Sequence, residues 1–118
     1  MRAIRIDKPG GPEVMRLEEV ELPPLAKGEV RLRQHAIGIN FIDIYHRSGF
    51  YPPAHTPFTP GSEGAGEVVE VGPSVQGLKP GDRVAYAGSP GATRRSAISK
   101  RGSCSSCRAR FPMKPRRR

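Results

Sequence analysis

Glycine and proline cut this chain into pieces too short for long helices. Its 118 residues include 14 Gly and 13 Pro, gathered at Gly10-Gly11-Pro12, Pro23-Pro24, Pro52-Pro53 and Pro80-Gly81. Proline has no N–H to give a helix interior or a central strand, and glycine favours turns, so each cluster closes a segment. Between the breaks the apolar residues mostly alternate. Arg2, Ile4 and Ile6 share one face of a first strand, with Ala3, Arg5 and Asp7 on the other. Further strands are expected at Val14–Glu21, from Val30 through Leu32 and Gln34 to Ile39, at Gly66–Val71 and at Arg83–Ala87. One segment is helical: Asn40 can cap it, Asp43 lies in its first turn, Phe41, Ile44 and Tyr45 share a face, and Gly49 can end it. Prolines 52, 53, 57 and 60 then keep regular structure out of a loop carrying Phe50, Tyr51 and His55. The expected fold is mainly β with a short helix, a small and partly open β-barrel.

At this length there is room for one domain and not for a two-domain enzyme. The formal charge of +9 suggests an anionic partner, but its distribution argues otherwise. Met1–Gly91 holds ten Lys and Arg against eleven Asp and Glu, whereas the last 27 positions hold ten basic residues and no acidic one. The body is thus nearly neutral. Its two cysteines, Cys104 and Cys107, are both in the basic tail, so no disulfide framework supports the body and a reducing cytosol suits it. No secretory signal is expected, since no charged start is followed by a long apolar run, and no stretch approaches membrane-spanning length.

The stretch Gly61-Ser62-Glu63-Gly64-Ala65-Gly66, followed by Gly72, resembles the G-H-E-x-x-G-x5-G signature of medium-chain alcohol dehydrogenases. Ser62 stands where the zinc-dependent members place a histidine ligand, and Asn40, in Gly38-Ile39-Asn40-Phe41-Ile42-Asp43, where they place a cysteine. Zinc takes about four ligands, and amide and hydroxyl oxygens replace imidazole and thiolate poorly, so a metal-free site is expected. The run G-I-N-F-I-D-I-Y-H-R-S-G-F-Y from Gly38, the opening K-P-G-G-P-E-V and the K-P-G-D-R-V-A-Y around Asp82 are similar to NADPH:quinone oxidoreductases related to zeta-crystallin. The resemblance covers Met1 to about Pro90 and implies a GroES-like barrel that forms the floor of the active site. In that family a following Rossmann domain binds NADPH. This chain has no G-x-G-x-x-G fingerprint between a strand and a helix, so no Rossmann domain is expected in it and no NADPH binding by it alone.

By the same resemblance Asn40, Tyr45 and Tyr51 are the candidate catalytic residues, surrounding the oxygen of a quinone or an α,β-unsaturated carbonyl. Asn40 can donate its amide N–H or simply cap the helix. Tyr45 is as easily a core residue as a pocket residue, while Tyr51, in the proline-rich loop, is better placed to meet ligand. Phe41 can touch the nicotinamide, though a buried staple is the more ordinary role. Asp43 acts indirectly from the first helical turn. Ser62 and Glu63 face the cleft, unless Glu63 braces the glycine turn. His35, His46 and His55 lack metal spacing and are expected at or near the surface.

The domain is expected at 1–90, incomplete and inactive alone, with 91–118 a disordered basic tail. That tail has the Arg, Ser and Cys content of GC-rich DNA read out of frame. A back-translation of residues 102–118 permits ELLKLPGAISYETAAA in a shifted frame, with Met113-Lys114 forcing the glutamate, and this is similar to the family's continuation. Cys104-Ser105-Ser106-Cys107 has zinc-knuckle or redox spacing but supplies only two ligands. Arg116-Arg117-Arg118 can bind phosphates non-specifically, yet without interleaved aromatics no specific nucleic-acid partner is expected. A rival reading, a GroES-like module presenting its tail to nucleic acid or an acidic protein, is separated from the first by deleting Ala92–Arg118. No membrane partner and no dimer is expected, since the family pairs through its cofactor domain.

Overall fold

The computed structural model describes residues 1–94, 96–100 and 104–106. Strands β1 (Arg2–Arg5) and β2 (Arg16–Glu19) form an antiparallel pair, joined through a single 3-10 turn at Pro12–Val14. Strand β3 (Glu29–Ile37) leads to helix α1 (Phe41–Ser48), then to β4 (Glu63–Val71), β5 (Arg83–Ala87), β6 (Ser96–Lys100) and β7 (Cys104–Ser106). These last five strands make one antiparallel sheet in the order β6-β3-β4-β5-β7, which does not close into a full barrel. The mainly β, partly open architecture expected from the sequence is therefore observed.

Alternation sets the core. Val30 and Leu32 of β3, Val68 of β4 and Val84 and Tyr86 of β5 point to one side and pack with Leu78 and Ala92. Each buried Val or Leu contributes about 1.5–3 kcal/mol by leaving water. On the opposite side Arg31 pairs with Glu70 and Arg33 with Glu67 at 3.2 Å, each across the β3–β4 register. Such exposed pairs favour the register more than they add stability, since exposed pairs are worth about 0.2–1 kcal/mol. The β1–β2 pair is held to the body by two-residue bridges, Ile6 to Phe58 and Ala3 to Arg94, with all three apolar members buried. Lys79-Pro80-Gly81-Asp82 turns the chain into β5, and Gly81 supplies the positive φ (+92°) that such a turn needs at its third position.

Three expectations need correction. The strand expected from Gly66 begins at Glu63, because Glu63 pairs with Ala87 and Gly64 with Tyr86 and Ile37. Glycine carries little strand propensity, so the pattern conceals this start. Phe41 is no buried staple: it is 77% exposed, and α1 buries none of its residues. Nor is the stretch after Gly91 wholly outside the fold. Ser96–Lys100 pairs with β3 and Cys104–Ser106 with β5, since backbone N–H and C=O groups at a sheet edge can be paired without an alternating side-chain pattern. The other tail residues, with Cys107 and the terminal arginines, lie outside the described residues.

Candidate functional site

Helix α1 follows β3 directly, and its ends set the site. Asn40 is the N-cap, extended at φ −126° and ψ 160°. Its backbone N–H donates to the Asp43 carboxylate at 2.9 Å, and the Asp43 N–H donates back to the Asn40 carbonyl at 3.0 Å. This satisfies two groups that a helix start otherwise leaves unpaired. The second Asp43 oxygen accepts the Gly61 N–H at 3.1 Å. One carboxylate thus fixes both segments in which zinc-dependent enzymes carry metal ligands, the Asn40 cap and the Gly61-Ser62-Glu63 turn.

At the other end Gly49 is left-handed (φ 85°), and the N–H groups of Gly49 and Tyr51 both donate to the Tyr45 carbonyl at 3.1 Å. This tight C-cap folds the following loop back over the helix. Tyr45, Phe50 and Tyr51 then form a cluster with ring centroids 5.1–5.9 Å apart, Phe50 and Tyr51 edge to face. Tyr45 is 39% exposed, Tyr51 56% and Phe50 72%, and Ile39, before the other end of the helix, is 86% exposed. Exposed aromatic and aliphatic groups of this kind are characteristic of a surface that meets a ligand or another protein unit.

The structure brings Tyr45 and Tyr51 together and ties Asn40 to Asp43. It does not gather every candidate into one pocket. Ser62 lines a cavity of about 550 Å³ with His46, Pro52 and Pro53, and Asn40, Tyr45 and Tyr51 are not among its lining residues. Glu63 folds over Gly38, leaving no room for a Cβ there, and its carbonyl accepts the Gly38 N–H at 3.2 Å. His35 and His55 are exposed and His46 half-buried. Among the described residues no three His, Cys, Asp or Glu side chains converge as a metal set, and no helix is long and apolar enough to cross a membrane.

Sequence reasoning missed two contributors. Phe50 completes the aromatic cluster, which nothing in its loop position signals. Gln34 interrupts an otherwise apolar strand face because its amide donates to the Ala92 and Arg94 carbonyls while its oxygen accepts the Tyr86 hydroxyl at 2.9 Å. A polar residue at an inward position of an alternating strand was the available clue.

The fold is thus a mainly β, partly open sheet with a capped helix tied to a glycine turn. The chain belongs to the alcohol dehydrogenase GroES-like domain family, matched over residues 26–113. It is 53% identical over 81 residues to a quinone oxidoreductase of Pseudomonas aeruginosa, covering 69% of this chain and 25% of that protein. It is 49% identical over 84 residues to quinone oxidoreductase 1 of Escherichia coli, covering 71% and 26%. Among solved structures, Escherichia coli quinone oxidoreductase complexed with NADPH superposes with a TM-score of 0.91 at 39% identity, covering 95% of this chain and 35% of the other. The chain spans about a quarter of the length of these curated relatives.

Proposed function

We propose that this chain supplies the acceptor-binding domain of a zinc-independent, NADPH-dependent quinone or enone reductase. The observation that carries the reading is the exposed Tyr45–Phe50–Tyr51 cluster at the C-terminal end of the helix that Asn40 caps. It is supported by the likeness to quinone oxidoreductases, one of them solved with NADPH. NADPH, when bound, supplies the hydride. The residues of this chain align the acceptor: aromatic faces of Tyr45, Phe50 and Tyr51 stack against a flat ring, and the Asn40 amide and Tyr51 hydroxyl donate to the oxygen that gains negative charge. Zinc independence belongs to the proposal and rests on the donor set, because the Asn40 amide and Ser62 hydroxyl are weak zinc ligands. A cytosolic location belongs to it too, resting on a body without cysteine.

These 118 residues contain no glycine-rich nucleotide fingerprint, so NADPH is expected not to bind them at micromolar concentration. Tight binding by fluorescence titration contradicts this. The activity is tested in a chimera in which residues 1–94 replace the matching part of Escherichia coli quinone oxidoreductase. NADPH oxidation that depends on added quinone supports the reading. A folded, NADPH-binding chimera without it does not.

The abrupt change to a composition with basic but no acidic residues after Gly91 supports a shifted reading frame after about Pro90. Resequencing the codons for Tyr86–Arg101 tests this. One base gained or lost is expected to open a frame into a glycine-rich segment, and a confirmed frame refutes the shift.

A further inference from the structure

The cavity beside Ser62 is lined with positive charge from two directions. Arg5 reaches it from β1 and Arg94 from the segment bridged to Ala3, with His46 and His55 on the intervening wall. Among the described residues no Asp or Glu lines it, and neither arginine is ion-paired with a described carboxylate.

The Arg94 guanidinium is held in place. Its atoms lie 3.4–3.7 Å from the point where a Cβ on Gly91 would stand, so it rests on the glycine backbone at the cavity wall. Its Nε is shut off from solvent with no hydrogen-bond partner. Burial, the largest cause, pushes the guanidinium below its ordinary pKa; Tyr86 opposes this and the Arg5 charge adds to it. An arginine stays charged in proteins and has only donors to offer. Arg5 and Arg94 both line this cavity, Arg94 lining two neighbouring ones as well, so their like charges oppose each other while the Arg94 Nε lacks a partner. An oxyanion offsets the like charge, because two of its oxygens can accept from the accessible N–H groups of a guanidinium.

We propose that this cavity binds a small oxyanion, a carboxylate or a phosphate, between Arg5 and Arg94, with the Ser62 hydroxyl as a further donor. The site shares Ser62 with the cleft expected for the reductase reading, whereas Asn40, Tyr45 and Tyr51 do not line it.

The test is calorimetric titration of the full chain with inorganic phosphate at constant ionic strength, with chloride as control. Saturable 1:1 phosphate binding is expected, weakened at least tenfold in Arg5→Gln and in Arg94→Gln, with near-native circular dichroism. Arg94 falls within the segment of proposed shifted frame and Arg5 does not, so Arg5→Gln is the deciding variant. Arg5→Lys, which keeps the charge without the fork, is the second variant should Arg5→Gln unfold, and is expected to bind more weakly than the parent. Competition by crotonate identifies carboxylates as occupants, and binding of phosphate alone restricts the site to phosphate; either supports the proposal. Equal phosphate binding by the parent and by a folded Arg5 variant overturns it, as does an equal response to chloride.

Discussion

The Asp43 carboxylate accepts the N–H of Gly61 at 3.1 Å while its other oxygen accepts the N–H of Asn40 at 2.9 Å. Asp43→Ala frees both donors, and the lost cap and half-buried amide are expected to cost about 2–3 kcal/mol. Asp43→Asn keeps one acceptor oxygen and is expected to cost about 1 kcal/mol. Urea unfolding of the three proteins checks the order. Equal stability of all three removes Asp43 as the link between the helix and the glycine turn.

Gln34 joins Tyr86 to the 92–94 segment, so its removal acts at three places. Gln34→Leu leaves the Ala92 and Arg94 carbonyls and the Tyr86 hydroxyl short of one partner each, at about 2–3 kcal/mol together. Tyr86→Phe removes one bond and is expected to cost about 1 kcal/mol. Thermal unfolding distinguishes them, with the larger loss of Tm in Gln34→Leu.

Two glycines give a contrasting pair. A Cβ on Gly66 meets the backbone carbonyl of Arg33, which cannot yield without breaking the β3–β4 ladder, whereas a Cβ on Gly38 meets only the Glu63 side chain. Gly66→Ala is expected to cost about 3 kcal/mol and Gly38→Ala under about 1 kcal/mol, since a flexible carboxylate can swing away. Chemical denaturation showing the reverse order contradicts this packing.

Asp82 provides the pH dependence. Its carboxylate is held below the ordinary range first by the side-chain hydrogen bond from Lys79, at 3.0 Å, and then by the Lys79 backbone N–H, at 2.9 Å. A depressed folded pKa contributes stability that is present above the unfolded pKa and is lost as pH falls through the folded one. The Tm difference between the parent and Asp82→Asn is therefore expected to be complete above about pH 5 and to shrink below about pH 4. A difference that grows in acid reverses the sign and refutes the assignment.

Much of this was legible from sequence because its causes are local. Alternation marked β3 and β5, and the pairing of Asn40 with Asp43 and the left-handed Gly49 marked both ends of α1. The start of β4 was hidden, since Gly64 and Gly66 are there for close backbone approach and give no strand signal. The position of Phe41 was misread because an apolar residue on a short helix looks the same whether it faces a core or an open surface. The Arg5–Arg94 cavity was beyond reach, as nothing local links residues that distant in the chain. The strands at 96–100 and 104–106 were missed because edge pairing is a backbone matter.

The central claim is that Asn40 and Tyr51 serve the acceptor oxygen. The measurement that tests it most directly is kcat for quinone-dependent NADPH oxidation in the chimera carrying Asn40→Ala, alone and with Tyr51→Phe. Loss of a donor to a developing oxyanion predicts a fall in kcat of about 10–100-fold for Asn40→Ala, with a further loss in the double variant and NADPH binding unchanged. An unchanged kcat in a folded Asn40→Ala chimera would mean that Asn40 does no more than cap its helix.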